Sequence, residues 1–241
     1  MEQYFLEKLK EVLEIEDREL NVSDVFRDYP EWNSLNFLTL ISMNDEEYDL
    51  VIEGKEFKTL HTVEDIYNPF SLVGKVILVT GASSGIGRSI AIECSKMGAR
   101  IVITGRDEVR LNDTLQAMSG EGHLVVKADL TDSDDLESLS DEIPVLDGVV
   151  NNAGCNKRML CQYIKDEELA NVLNTNLVSS ILLTKNLLKK KKVKAGGSIV
   201  FMSSIAVYHS SIGDSVYSAT KGAISSFARV LAMELAPKKI T

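Results

Sequence analysis

The chain has 241 residues, with 36 acidic and 26 basic side chains and a formal net charge of −10. The acidic excess lies in residues 1–68, which carry 18 acidic and 6 basic side chains, whereas residues 69–241 carry 18 and 20. This asymmetry predicts two domains with different partners, and it argues against nucleic acid because the acidic part would repel phosphates. No apolar stretch approaches the length of a membrane span, and three cysteines without metal-ligand spacing fit a reducing cytoplasm.

The acidic segment, residues 1–67, shows apolar side chains at helical spacing in two stretches. The first covers residues 4–13, and the second follows Asn33 and Ser34. Ser34 is therefore predicted at a helix N-terminus, where one interpretation is a cap whose hydroxyl accepts an amide hydrogen bond. A chemically functional serine is the alternative. Residues 68–73 are predicted to form a linker, because an asparagine followed by a proline disfavours continuation of a helix.

A glycine-rich loop follows the first apolar strand pattern. Residues 76–79 are continuously apolar, and Gly81, Gly85 and Gly87 come directly before a helical pattern. A strand that ends in glycines and leads into a helix leaves free backbone N–H groups, which suit a phosphate. A glycine-rich turn without a ligand is the alternative.

Strand and helix patterns alternate through the rest of the chain. Strand patterns lie at residues 100–104, 124–126, 146–150 and 198–202, and helical patterns at 87–98, 107–118, 133–142 and 166–192. The alternation predicts an α/β fold over residues 74–241, built on a Rossmann-type, doubly wound parallel sheet. Polar residues at the carboxyl ends of successive strands would then meet in one crevice, which supports a ligand at the glycine-rich loop.

The strongest chemical pattern is Tyr217 and Lys221, four residues apart in a predicted helix. Side chains at this spacing share one face of a helix. An ammonium beside a phenol favours the phenolate, so the pair can donate or accept a proton at a carbonyl or an alcohol. Ser204 lies thirteen residues upstream at a predicted strand end, within reach of the same oxygen. An incidental pair on a surface helix is the alternative.

The segments 80–87 and 151–154 follow the first and fourth strand patterns, and Asn176, Ser204 and the pair Tyr217 and Lys221 come later in the chain. These features occur in the order and spacing of the short-chain dehydrogenases/reductases, and they most resemble the subgroup of 3-oxoacyl-[acyl-carrier-protein] reductases. The resemblance implies that Tyr217 is the general acid and that Ser204 holds and polarises the carbonyl. It also implies that Lys221 binds the nicotinamide ribose and tunes Tyr217, and that Asn176 holds a proton-relay water.

The same resemblance implies a dinucleotide site. Its residues are Gly81, Ala82, Ser83, Ser84, Gly85, Ile86, Gly87, Arg106, Asp129, Leu130, Asn152, Ala153, Gly154, Tyr217 and Lys221. NAD enzymes of this family usually have an acidic residue where this chain has Gly105, and the next residue, Arg106, can bind a 2′-phosphate. The expected cofactor is therefore NADP(H), with a solvated loop charge as the alternative role of Arg106. No metal is implied, because the cofactor supplies the hydride and the tyrosine the proton.

Two segments of residues 1–67 form motifs, 32–35 ahead of the second helical pattern and 62–66 near the end. With these motifs residues 1–67 resemble an acyl carrier protein, a small all-α helical bundle. The segment 32–35 is similar to the motif whose serine carries phosphopantetheine, and the segment 62–66 to the start of the last helix. The resemblance implies a phosphopantetheine arm on Ser34, with a phosphopantetheinyl transferase and acyl-processing enzymes as partners. The chain departs from the family at Asn33, where an aspartate is usual.

Three functional hypotheses remain open. The first is NADPH-dependent reduction of a 3-oxoacyl thioester to the 3-hydroxyacyl form, in fatty acid or related acyl biosynthesis, with the acyl group on the carrier domain of the same chain. The second is an oxidoreductase for another carbonyl or alcohol, and the third is a carrier or interaction protein with an inactive reductase domain. The resemblance implies two further strands after residue 241, so we expect a truncated domain, and a homo-oligomer where the domain is complete.

Overall fold

The computed structural model describes residues 2–48, 54–67, 71–209 and 211–241. The chain forms two units, Met1–Ser71 and Leu72–Thr241. Part of the predicted linker, residues 68–70, lies outside the described residues. Leu72 belongs to the second unit, where its N–H donates to the Met97 carbonyl over 2.8 Å. The second unit therefore begins slightly before the residue predicted from the sequence.

The first unit is helical in its described residues. Its helices are α1 (Glu2–Leu13), α2 (Ser34–Tyr48), α3 (Gly54–Phe57) and α4 (Val63–Tyr67). Its core is made of fully buried apolar side chains from all four helices and a short turn, namely Phe5, Leu9, Phe26, Leu40, Phe57, Val63 and Ile66. The helices predicted at residues 4–13 and after Asn33 are both present.

The cap of α2 is Asn33 rather than Ser34. The Asn33 Oδ1 atom accepts hydrogen bonds from the amides of Leu35 (2.8 Å) and Asn36 (3.0 Å). The capping interpretation of Ser34 is therefore wrong, because the asparagine one residue earlier already binds the free amides at the helix start. Ser34 is the first residue of α2, and its side chain is exposed.

The second unit contains the predicted doubly wound sheet. Its parallel strands are β1 (Val76–Thr80), β2 (Arg100–Gly105), β3 (Leu124–Lys127), β4 (Leu146–Asn151) and β5 (Val193–Phe201), in the order β3-β2-β1-β4-β5. Its helices are α5 (Gly85–Lys96), α6 (Glu108–Ala117), α7 (Ser133–Glu142), α8 (Asp166–Leu173), α9 (Ser179–Lys189) and α10 (Ser215–Leu235). The strand order reverses between β1 and β4, which places a crevice outside their carboxyl ends.

Two elements differ from the sequence prediction by more than two residues. The single helix predicted at 166–192 is divided by a π-helical segment, Asn174–Val178, and it ends at Lys189. Strand β5 begins at Val193, five residues before its predicted start, and Val193 pairs with Leu146 ahead of an irregularity in the ladder. The glycines in the first half of β5 hide the strand from a pattern of apolar residues, because glycine weakens a strand signal.

Asp147 links β4 to β1 and β5 at the amino ends of these strands, opposite the crevice at their carboxyl ends. Its carboxylate accepts hydrogen bonds from the Val76 amide (2.9 Å) at the start of β1 and from the Lys194 ammonium (2.8 Å) on β5. Burial opposes ionisation of this carboxyl, but the bonds from Lys194 and Val76 outweigh it and lower its pKa. The start of the sheet is thus held by a charge-assisted cluster.

Candidate active site

The glycine-rich loop between β1 and α5 allows the loop after β4 to approach closely. Gly81 has a φ of +64°, and a Cβ atom there would lie 2.8 Å from the Ala153 Cα. A Cβ atom on Gly87 would lie 2.4 Å from both the Asn152 Nδ2 and the Gly81 oxygen. Only glycine fits at these two positions, so β1, α5 and the β4 loop meet at one point.

Thr80 fastens the two loops to each other. Its Oγ1 atom accepts hydrogen bonds from the amides of Asn152 (2.9 Å) and Ala153 (3.0 Å). The Asn152 Nδ2 in turn donates to the Thr80 carbonyl over 3.0 Å. Thr80 is the first residue of the motif 80–87, and the resemblance implies no separate role for it. Its position at the end of β1 is the sequence signal for this anchoring role.

A crevice of about 1110 Å³ runs along these loops, somewhat larger than an ordinary small-molecule pocket. The predicted residues on its wall are Gly81, Ser83, Ser84, Gly85, Ile86, Arg106, Asp129, Leu130, Asn152, Ala153, Gly154, Tyr217 and Lys221. The structure therefore brings most of the predicted site together. Ala82 and Gly87 are buried behind the wall, where they shape the glycine-rich loop.

Tyr217 and Lys221 both lie on α10, as the four-residue spacing predicts. The Lys221 ammonium lies 5.8 Å from the centroid of the Tyr217 ring. Lys221 is only 5% exposed, and its Nζ donates to the Met202 carbonyl over 2.6 Å. Burial lowers the pKa of the Lys221 ammonium, and the neighbouring Cys155 thiol opposes this shift only in part.

Asn176 is buried behind the crevice wall, where its side chain makes hydrogen bonds to two neighbouring segments. It occupies the π-helical segment, a kind of distortion that is frequent at functional sites. Its Oδ1 accepts from the Cys155 amide (2.7 Å), and its Nδ2 donates to the Cys155 carbonyl (2.8 Å) and the Thr220 Oγ1 (3.2 Å). The Asn176 amide thus joins the loop after β4 to α10, the helix of Tyr217.

Ser204 follows the end of β5 and is half-buried beside the crevice rather than on its wall. Its Oγ accepts a hydrogen bond from the Ala206 amide over 3.1 Å, as the cap of a short helical turn. The hydroxyl proton is not used in that bond and is therefore available for donation. The structure therefore leaves Ser204 available for the role that the resemblance implies.

One end of the crevice carries a cluster of charges. The Arg106 guanidinium lies 3.8 Å from the Asp129 carboxylate, and Arg110 and Lys127 line the same wall. Although burial opposes ionisation of Asp129, hydrogen bonds from Thr131 and the charge of Arg106 lower the pKa of its carboxyl. Arg110 and Lys127 were missed in the sequence. The position of Lys127 as the last residue of β3 would have identified it.

The crevice fits a dinucleotide. No side chain in the described part of the second unit caps α5, whose N-cap residue is Ser84, so the amides at the start of this helix are free for a phosphate. Gly85 has a φ of +55° and open space around its Cα, so a phosphate can approach the loop closely. Among the described residues no cluster of three or more histidines, cysteines or carboxylates could hold a metal ion. None of the described helices has both the length and the apolar composition of a membrane-spanning segment.

Comparisons with known proteins identify the family. Residues 75–241 match the family model described as short chain dehydrogenase. Over 170 residues the chain is 37% identical to a 3-oxoacyl-[acyl-carrier-protein] reductase of Mus musculus, which covers 69% of this chain and 71% of that protein. A tropinone reductase homolog of Arabidopsis thaliana is 38% identical over 180 residues, covering 71% of this chain and 67% of that protein.

Solved structures agree with the sequence relatives. A short-chain dehydrogenase/reductase from Serratia marcescens superposes with a TM-score of 0.67 at 27% identity, covering 71% of this chain and 72% of that protein. The family match covers the whole sheet and the crevice with Tyr217 and Lys221. The chain therefore belongs to the short-chain dehydrogenase family of oxidoreductases.

Proposed function

We propose that the second unit reduces the keto group of a 3-oxoacyl thioester to a 3-hydroxyacyl group, with NADPH as the reductant. The observation that carries the proposal is the position of Tyr217 and Lys221 on the wall of the same crevice as the glycine-rich loop. Several relatives bear the name 3-oxoacyl-[acyl-carrier-protein] reductase, which favours this substrate class over other carbonyls. Reduction of another ketone is the alternative.

The chain's own residues handle the proton and orient the substrate. A bound reduced nicotinamide would supply the hydride to the carbonyl carbon. Tyr217 donates its phenolic proton to the carbonyl oxygen, and Ser204 donates a hydrogen bond to the same oxygen. Lys221 stabilises the phenolate that the proton transfer leaves behind, since its ammonium is held close to the Tyr217 ring by the Met202 carbonyl.

The loops beside the crevice favour an apolar substrate. Leu160 follows β4, and Ile205, Tyr208 and Ile212 lie between β5 and α10, all with exposed side chains. The backbone joins these two segments, because the Met159 amide donates to the Gly213 carbonyl over 2.9 Å. Exposed apolar side chains on adjoining loops are suited to contact an alkyl chain.

The decisive experiment measures NADPH oxidation with 3-oxoacyl thioesters of increasing chain length. We expect turnover by the wild-type chain and a loss of about 10²- to 10⁴-fold in Tyr217→Phe, the usual contribution of a general acid. Tyr29→Phe is the matched control, because it removes a phenol of the first unit that is bonded to Asp24. A Tyr217→Phe chain with full activity would contradict the proposed acid, and turnover only with unrelated ketones would favour the alternative.

Arg106 supports NADPH over NADH, because its guanidinium lies on the crevice wall and can bind a 2′-phosphate. We expect Arg106→Gln to lower kcat/KM for NADPH about tenfold and to leave that for NADH nearly unchanged, the loss of one exposed charge-assisted hydrogen bond. Arg100→Gln, at the opposite end of β2, is the control. Equal losses with both cofactors would show that Arg106 does not select the phosphate.

We also propose that Ser34 carries phosphopantetheine. Its side chain is exposed, and its hydroxyl makes no hydrogen bond to the described residues, since Asn33 does the capping. A cavity of about 310 Å³ lies beside it, lined by Arg27, Trp32, Asn33, Phe37, Phe57 and Lys58. A free hydroxyl next to a cavity supports attachment of an arm whose acyl end can be sheltered.

The carrier proposal is tested by intact mass after incubation with coenzyme A and a phosphopantetheinyl transferase. We expect a gain of one phosphopantetheine in the wild-type chain and none in Ser34→Ala. Ser42→Ala, farther along α2, is the control and should be modified normally, because the Ser42 hydroxyl donates to Glu46 of the same helix. A wild-type chain without any gain in mass would contradict the proposal.

A further inference from the structure

Asp214 is an unusual residue at the start of α10. It is the N-cap residue of this helix, but its side chain accepts no hydrogen bond from the helix amides. An aspartate at this position ordinarily caps the helix, because the first amides have no partner of their own. The Asp214 carboxylate is buried, with 7% of its side chain exposed, so its partners lie within the protein.

Those partners belong to the loop after β4. The carboxylate of Asp214 accepts hydrogen bonds from the Arg158 Nε (3.2 Å) and Nη2 (3.4 Å) and from the Asn156 Nδ2 (3.2 Å). The Met159 amide donates to the Gly213 carbonyl nearby, and Gly213 has a φ of +88°. A Cβ atom on Gly213 would lie 3.4 Å from the Met159 nitrogen, so the two segments are in close contact.

We infer that the ion pair of Arg158 and Asp214 is a clamp that holds the first turn of α10, and with it Tyr217, against the loop after β4. Tyr217 is the third residue of α10, in the turn where helices fray because their first amides are unpaired. Lys221 lies one turn further along and is fixed separately by the Met202 carbonyl. The clamp therefore acts on Tyr217 more than on Lys221.

Arg158 and Asp214 are positioning residues in this assignment. The clamp sets the distance between the wall with Asn152 to Gly154 and the wall with Tyr217. A phenol displaced by a fraying turn would donate its proton less effectively, since misplacement by about 1 Å can cost up to about 100-fold in rate. The clamp itself rests on the observed contacts, and only its effect on turnover rests on the proposed function.

The test compares amide exchange and kinetics of Arg158→Met, Arg158→Lys and the wild-type chain. Ser218 is the first informative amide, because it donates to the Asp214 carbonyl over 2.8 Å. We expect exchange over residues 218–221 to rise about threefold to tenfold in Arg158→Met, in line with a partly exposed ion pair. Arg158→Lys keeps the charge and should restore most of the protection.

The matched control is Lys194→Met, which breaks a comparable ion pair with Asp147 at the other edge of the sheet. It should leave exchange over residues 218–221 unchanged. With a 3-oxoacyl thioester we expect Arg158→Met to lower kcat about tenfold and to leave the dissociation constant for NADPH unchanged, a split that general destabilisation does not produce.

Each outcome decides the inference. Unchanged exchange over residues 218–221 in Arg158→Met would overturn the clamp. Faster exchange with an unchanged kcat would overturn its positioning of Tyr217. A wild-type chain that reduces no ketone would defeat the proposed function alone, because amide exchange still shows whether Arg158 holds the first turn of α10.

Discussion

The two units present their candidate functional groups in different ways. In the second unit, residues of the loops after β1 and β4 and of α10 meet in one crevice, and the hydrogen bonds of Thr80 fix the spacing of the two loops. In the first unit, the candidate group is the exposed hydroxyl of Ser34, at the start of α2 and beside a cavity. Where several side chains meet, as in the crevice, their distances and hydrogen bonds indicate the chemistry that the site can perform. A modified serine requires only exposure and a partner enzyme, so its role depends on a reaction with another protein.

The close approach at Gly87 offers the largest expected effect. Gly87→Ala places a Cβ atom 2.4 Å from the Asn152 Nδ2 and the Gly81 oxygen, whereas Gly85→Ala meets no atom within 4 Å. We expect Gly87→Ala to lower the free energy of unfolding by about 3 kcal/mol through overpacking. Gly85→Ala should cost about 1 kcal/mol, from its positive φ alone.

Both glycine variants are measured by denaturant unfolding of the second unit and by NADPH titration. Loss of NADPH affinity in Gly87→Ala together with the loss of stability is expected, because the same loop carries both. Equal and small effects of the two substitutions would contradict the view that the crevice of the second unit depends on the close approach of its loops.

Substitution of Asn176 tests whether the crevice of the second unit depends on buried side-chain hydrogen bonds. Asn176→Ala leaves the amide and the carbonyl of Cys155 without their partner, and we expect a loss of about 2 kcal/mol in the free energy of unfolding. Asn174→Ala in the same π-helical segment is the control, since Asn174 is exposed and should change stability by less than about 0.5 kcal/mol. Similar results for the two asparagines would show that the fastening is unimportant.

The strand ends and helices of the second unit could be predicted because they rest on local patterns. The apolar run of β1 predicts a strand, and the four-residue spacing of Tyr217 and Lys221 predicts a shared face of one helix. Parallel pairing then brings the carboxyl ends of the strands together. In the first unit, α4 begins at Val63, within the predicted segment 62–66. Its start is stabilised because the Asp65 carboxylate accepts from the Thr62 amide over 2.8 Å.

Contacts between distant loops could not be predicted. Arg158 and Asp214 are 56 residues apart, and neither lies in a periodic pattern that would indicate a shared surface. The fastening by Asn176 depends on the π-helical segment, which has no sequence signal of its own. The sequence does not decide whether Asn33 or Ser34 caps α2, because both residue types favour the position and only the backbone selects Asn33.

The Asp147 cluster predicts a pH dependence of the second unit. The pKa of the Asp147 carboxyl is lowered in the folded chain, so its stabilisation is present above its unfolded pKa and is lost as the pH falls through the folded value. We expect Asp147→Asn to lower the free energy of unfolding by about 1.5 kcal/mol at pH 7. The difference from the wild-type chain should narrow once the pH falls below about 4.

Denaturant unfolding from about pH 3 to about pH 7, a range that spans the titration of an ordinary carboxyl near about pH 4, measures this dependence. Asp113→Asn is the control, because Asp113 is exposed on α6 and makes no hydrogen bond or ion pair with the described residues. A gap between wild type and Asp147→Asn that stays constant with pH would show that the Asp147 charge is not the source of the stabilisation.

Asn33 gives the smallest effect and separates stability from modification in the first unit. Asn33→Ala removes the two hydrogen bonds to the Leu35 and Asn36 amides and should cost about 1 kcal/mol, the usual contribution of a cap. Asn33→Asp keeps the cap and adds a negative charge at the helix start, which should stabilise by a few tenths of a kcal/mol, roughly. Fluorescence of Trp32, the single tryptophan, follows unfolding of this unit.

If Ser34 is a carrier serine, Asn33→Asp should also be modified faster than the wild-type chain, because it restores the aspartate usual in carrier proteins. A rate of modification that follows stability alone would show that the residue before Ser34 acts only as a cap.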